Sequence, residues 1–147
     1  MATRTWILLG VTAINLYLLG AACLLLATDY PLLAEVQQGL PAFHASLSRR
    51  LGMAFILPEF LSALSPFLLL WQRPAQAPLG AVWICVALGL LWMALTFTWH
   101  LPVHRLLASG DASPAVMSRL LTSHAVRTVF QVLKCGVLLW LVARDRG

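Results

Sequence analysis

Charge is what this sequence has least of. Only 10% of its 147 residues are Asp, Glu, Lys or Arg, five acidic and ten basic, while 61% are hydrophobic. A water-soluble domain carries roughly 25% charged residues, so water is not the main solvent of this chain, and its mean hydropathy of +0.85 agrees. The net charge of +5 comes from basic residues scattered along the chain. No Lys/Arg run exists to track phosphates, which argues against a nucleic-acid partner. Scattered Arg near helix ends is what membrane topology and headgroup contacts produce. Cysteine is scarce too: Cys23, Cys85 and Cys135 each lie in an apolar run, with no CxxC and no paired spacing. Neither a disulfide framework nor a zinc ribbon is expected, and the three read as small buried hydrophobes. There is no internal repeat, and the length suits one domain, 1–147.

What is there is length in apolar runs. A membrane span needs about 20 mostly apolar residues, and four segments supply it: about 6–27, 51–71, 79–100 and 120–143. Trp71, Trp99 and Trp140 lie near span ends, where an indole sits at headgroup level. The first segment is longer than the apolar core of a leader peptide, and no small-x-small site follows, so it is read as a helix. The expected fold is all-α, an integral membrane, antiparallel four-helix bundle in contact with the lipid bilayer. Between spans one and two, Leu32, Leu33, Val36, Leu40, Phe43 and Leu47 recur at three-to-four spacing. That predicts an amphipathic interfacial helix between helices 1 and 2, interrupted near Pro41. At the other link, Gly110 to Pro114 reads as a helix stop and restart, with Ser113 as cap and Pro114 at the first helical position.

Four spans put both termini on one face and both long links on the other. Arg4, Arg73, Arg144 and Arg146 fall on the terminal side; Arg49, Arg50, Arg105 and Arg119 fall on the link side. The count is even. It favours cytoplasmic termini once Arg49, Arg105 and Arg119 are assigned to a site.

An ionisable group at mid-bilayer costs about 2.5–3.5 kcal/mol on insertion scales, so each one asks for a partner or a task. Glu59 lies eight residues into span two, about 12 Å deep. Arg127 lies at similar depth in span four, and the two spans start from the same face. An ion pair between them is expected. On span four, His124, Arg127, Gln131 and Lys134 are separated by three, four and three residues, a single helical stripe that must face the bundle interior or a cleft. His100 and His104 end span three on a shared face, and His44 precedes span two. Connectivity alone therefore delivers His44, Glu59, His100, His104, His124 and Arg127 to one leaflet.

Two or three histidines with a carboxylate suit iron, copper or zinc, which makes His44, His100, His104 and Glu59 candidate metal ligands. His100 and His124 are candidates for holding a cofactor such as haem. A cofactor-free site is the alternative, with His104, Glu59 and Arg127 catalytic and Arg127 and Gln131 contacting substrate. No HExxH or CxxCH signature selects between haem, copper, iron and none. Ordinary readings stand beside these: interfacial histidines bound to water, a structural Glu59–Arg127 pair, and a Lys134 that snorkels to the opposite face.

Tyr30-Pro31, Phe43-His44, Arg49-Arg50, Pro58, Pro102-Val103-His104, Leu107, Gly110 and Arg127-Thr128 resemble a family of small bacterial four-helix membrane proteins. That family is distantly similar to the anthrone-oxygenase-like proteins, which oxygenate polycyclic aromatic anthrones. The resemblance spans about residues 28–143 and implies a bacterial inner-membrane location. The chain departs from the bacterial pattern, which has glutamate where this chain has Ser62, glutamine at His100 and asparagine at His124. Three functions stand as expectations. The first is a membrane redox enzyme or ligand-binding protein for a lipophilic substrate. The second is a non-catalytic accessory subunit or homo-oligomer packing through Gly10, Gly20-Ala21-Ala22 and Gly89. The third, a small transporter, is less well supported because no inverted repeat or broken-helix pair is present.

Overall fold

Proline sets where these helices widen and bend. In a computed structural model that describes residues 3–36 and 38–146, the side chains of Met53 and Arg146 excepted, the chain is all-α with no strand among the described residues. There are four long helices: α1, Thr3–Glu35; α2, residues 40–72; α3, Leu79–Ala108; and α4, Pro114–Arg146. Each contains a segment long and apolar enough to cross a membrane: Thr3–Glu35, Ala54–Gln72, Leu79–Ala108 and Pro114–Asp145.

Two of the helices contain a wide, π-type turn, Leu25–Asp29 in α1 and Thr96–His100 in α3. Each is followed two residues on by a proline, Pro31 and Pro102. A proline cannot donate to the carbonyl four residues back, and its ring clashes there. Inserting one residue into the turn relieves the clash, and the Tyr30 and Leu101 amides bond five residues back to Leu25 O and Thr96 O. Threonine hydroxyls support both turns, with Thr28 donating to Leu24 O at 2.7 Å and Thr96 to Trp92 O at 2.9 Å. Within α2, Pro58 lies inside the helix and Pro66 in a tighter 3-10 turn, Ser65–Phe67.

The first link differs from expectation. Residues through Glu35 continue α1, and Leu40 already opens the helix that runs to Leu64. No separate helix lies between them among the described residues. Pro41 stands in the first turn of α2, where a missing N–H costs nothing, and so starts that helix instead of interrupting it. The break falls at Gly39, whose φ of +71° is left-handed. The three-to-four periodicity was real, but it belongs to two helix ends: Leu33 and Leu40 are both buried in one apolar cluster with Val103, Leu107 and Leu120. The second link matches the reading. Gly110 at φ +95° ends α3 in a Schellman motif, with Asp111 N bonding Leu106 O and Gly110 N bonding Leu107 O. Ser113 Oγ then accepts the Val116 amide at 3.4 Å as α4 begins at Pro114. Asp111 accepts from the Ser113 amide, which holds its carboxyl below the usual range.

Helix α4 is the spine. Thr5 donates to Asp145, Gln131 to Asn15, and His124 to Ala22, so α1 partners rise in number as α4 partners fall. One apolar cluster (Leu8, Leu69, Val82, Leu138) closes the terminal end and the Leu33–Leu120 cluster closes the other. The polar residues lie between these two plugs. Cys85 and Cys135 are buried as expected; Cys23 is exposed.

Gly89 sets the closest approach of α2 and α3. A methyl group added there would stand 2.6 Å from Ala63 O, a backbone atom that cannot step aside. The Gly89→Ala substitution is expected to destabilise the bundle by about 1–3 kcal/mol. Gly10→Ala, which meets open space, should leave it within about 0.5 kcal/mol. Denaturant unfolding in detergent micelles checks both; equal stabilities would show that this contact does not set the packing.

Candidate functional site

The stripe on α4 faces inward along its whole length. His124, Arg127, Gln131 and Lys134 are 1%, 2%, 0% and 1% exposed. In a low-dielectric interior every one of these groups needs partners, and each finds at least one on another helix. Arg127 pairs with Glu59 of α2, and its guanidinium carbon stacks 4.4 Å from the Trp92 ring centre of α3. Trp92 Nε1 donates to the same Glu59 oxygen at 3.1 Å. Gln131 Nε2 donates to Asn15 O at 2.8 Å and to Ser62 Oγ at 3.2 Å. Lys134 Nζ donates to Ser62 O at 3.2 Å and Ser62 Oγ at 3.1 Å. Lys134 therefore does not snorkel out, and Gln131 Nε2 belongs to a bracing network with Asn15 and Ser62, while its Oε1 is buried without a partner.

The four histidines do converge. His44 Nε2 lies 2.9 Å from His104 Nδ1, and His104 Nε2 lies 3.1 Å from His100 Nε2. His100 Nδ1 reaches Ser123 Oγ at 2.8 Å. His44 is buried at the start of α2, not set in headgroup water, and this burial holds its imidazole below the ordinary range. Tyr30, directly after the wide turn of α1, places its hydroxyl 3.1 Å from His100 Nε2 and 3.5 Å from His104 Nε2. Its ring also meets His124 edge-on, centres 4.8 Å apart.

The partners settle several protons. A carbonyl only accepts, so His124 carries its proton on Nε2, which donates to Ala22 O at 2.9 Å. His124 Nδ1 is then a buried acceptor with no partner, and Arg127 Nε is a buried donor with none. Ser123 gives its own proton to Leu120 O at 2.9 Å, so it accepts from His100 Nδ1–H. The His100 Nε2 lone pair consequently faces Tyr30 and His104.

Beside this cluster is a cavity of about 390 Å³ between α2 and α3, within the range of small-molecule sites. Tyr30, His44, Glu59, His100, His104, His124 and Arg127 form its polar end; Leu47, Leu51, Gly52, Phe55, Ile56 and Leu101 line most of the rest, together with Thr96 and the exposed Ser48 and Arg105. Ile56 is 56% exposed and Leu101 37%, so this wall also belongs to the outer, apolar surface of the bundle.

The expected metal set does not assemble as such. Among the described residues no group of three or more His, Cys, Asp or Glu side chains is arranged to hold a metal ion. Glu59 is committed to Arg127 and Trp92, and His44 sits behind His104. Haem between His100 and His124 is also disfavoured: His124 Nε2 is occupied by a carbonyl, and a macrocycle has no room where His100 and His104 face each other at 3.1 Å. Tyr30, Trp92 and Ser123 were not among the expected site residues. Trp92 carried a signal: it lies far from either span end, on the 92–96–100–104 stripe, and a buried indole N–H needs an acceptor. No family model, curated protein or solved structure matches the chain, so the function rests on this geometry.

Removing one partner of a buried ion pair strands the other, at a cost of about 3–5 kcal/mol. Glu59→Gln and Arg127→Met are each expected to destabilise the protein by that order. The double variant should lose clearly less than the sum. A double-mutant cycle by denaturant unfolding measures the coupling, and strict additivity would mean the pair is not made.

Proposed function

We propose that the chain is an integral membrane protein that admits a lipophilic molecule from the bilayer into the cavity between α2 and α3, and holds its polar group at the Tyr/His/Glu/Arg end. What carries this reading is the cavity itself, mostly apolar in its lining where it opens beside Ile56 and Leu101, with Ser48 and Arg105 exposed along it and the Tyr/His/Glu/Arg cluster at its inner end. Such a site suits a molecule already dissolved in lipid. Arg127, fixed by Glu59 and stacked on Trp92, offers a charge and one unused N–H. His124 offers an unused basic nitrogen three residues earlier. A hydroxyl or enol presented to both would give its proton to His124 Nδ1 and accept from Arg127 Nε, the arrangement of a general base beside an anion-stabilising group. This moves the base role from His104 to His124 and withdraws Gln131 from substrate contact.

The surrounding architecture is proposed as an antiparallel bundle in a bacterial inner membrane, supported by the opposed α1–α4 pairings. Residues 40–53 would run along the bilayer boundary. Arg105 lines the cavity, and assigning it to the site leaves more Lys/Arg on the terminal side, which favours cytoplasmic termini. The accessory-subunit reading keeps Gly10 and Gly20, where an added methyl meets open space, but loses Gly89, already used between α2 and α3.

Gly52 supplies the test, because it lines the cavity and a Cβ there meets only ordinary contact with Ile56. In nanodiscs, a diazirine-bearing long-chain alcohol is expected to label residues 44–59 and 96–108 saturably, and Gly52→Trp should abolish the saturable part. Labelling that is uniform over the lipid-facing surface, and unchanged by Gly52→Trp, would rule the cavity out as a binding site.

A further inference from the structure

The polar end of the cavity holds an arrangement that neither a substrate nor the ion pair explains. Three donor atoms from two helices, Tyr30 Oη, His100 Nε2 and His104 Nε2, stand 3.1, 3.1 and 3.5 Å from one another. Ligand bonds of about 2.0–2.1 Å in a tetrahedral site place neighbouring donors about 3.3–3.4 Å apart. The three atoms thus match one face of such a tetrahedron, and an ion just outside their plane reaches all three.

We propose that Tyr30, His100 and His104 are the protein ligands of a mononuclear site for a transition-metal ion of the copper, iron or zinc class, with its remaining position open to the cavity. Two imidazoles and a phenolate suit these ions. The outer contacts are those ligands require. Metal-bound histidine fixes its ring by donating from the far nitrogen, and His100 Nδ1–H does so to Ser123, itself tied to Leu120 O. His104 Nδ1 meets His44 Nε2 at 2.9 Å, so donating there frees the His104 Nε2 lone pair toward the ion. His44 is then a positioning residue, not a ligand. The wide turns in α1 and α3 bring the donors together: Tyr30 immediately follows one and His100 ends the other. On binding, a divalent ion replaces the Tyr30 phenol proton, which leaves to solution. The site gains one positive charge and no electron moves. A set of three His, Cys, Asp or Glu is absent among the described residues because the third ligand is a phenol.

The chemical use of such an ion rests on the cavity reading, but its presence can be tested alone. The full chain, purified in mild detergent and stripped with a chelator, is titrated with Cu(II) as the only added ligand. One copper per chain is expected, with a visible phenolate-to-copper absorption band. Tyr30→Phe should remove the band at unchanged helical circular dichroism, and Ser123→Ala should weaken binding about 10–100-fold. No bound copper, or one copper whose spectrum survives Tyr30→Phe, would overturn the site; the three atoms would then be a plain hydrogen-bonded chain with the His104 proton on Nε2. Saturable photolabelling of the cavity in copper-free protein separates the two ideas. Labelling without copper binding sinks only the metal site, and copper binding without labelling sinks only the lipophilic-ligand reading.

Discussion

The Arg127 guanidinium is buried to 2% exposure, and most of the structure is arranged around that fact. A charge inside a membrane-spanning bundle needs an opposite charge, hydrogen-bond acceptors or a polarisable surface close by. Glu59 supplies the first two and Trp92 the third. Because these partners come from α2 and α3 while Arg127 belongs to α4, satisfying one side chain sets the mutual rotation of three helices. Gln131 and Lys134 extend the same constraint toward the terminal side through Asn15 and Ser62.

Lipid provides little net drive for apolar helices to leave it for one another, so packing depends on close approach and polar pairing. Both devices are present. Gly89 lets α3 touch the Ala63 backbone, and the α4 stripe joins all three other helices. The apolar clusters flank the polar layer at either end, and a buried polar group left unmet there is costly. Against that background three buried atoms have no partner, His124 Nδ1, Arg127 Nε and Gln131 Oε1, and the first two mark where a ligand in the cavity would gain most. Both belong to residues that line the cavity.

Proline positions the chemistry. Pro31 and Pro102 each force an extra residue into the preceding turn; Tyr30 immediately follows the first of these turns and His100 ends the second. A regular helix would rotate the segment beyond each wide turn by about 100°, carrying Tyr30 away from the imidazoles. Pro58 lies immediately before Glu59 in α2. Three of the four helices therefore carry a proline beside a residue of the site, in a bundle whose side-chain networks can re-satisfy the freed backbone groups.

Much of this was legible in the residues alone. The four apolar runs had to be helices long enough to cross a membrane, the α4 stripe had to face inward, and connectivity had to bring Glu59 to Arg127 and the histidines to one end. Those conclusions need only the 3.6-residue period, the length of a span and the cost of a charge in lipid. The periodicity of residues 32–47 was also visible, but whether it made one helix or two helix ends depended on Gly39, a single backbone conformation. Tertiary structure alone decided the rest. A wide turn shifts the phase of every side chain after it, so no fixed period could place Tyr30 against His100. The partners of His124 and Gln131 include backbone carbonyls of α1, which every residue type presents alike. Which polar groups are satisfied, and which are left facing the cavity, is settled only when all four helices are packed.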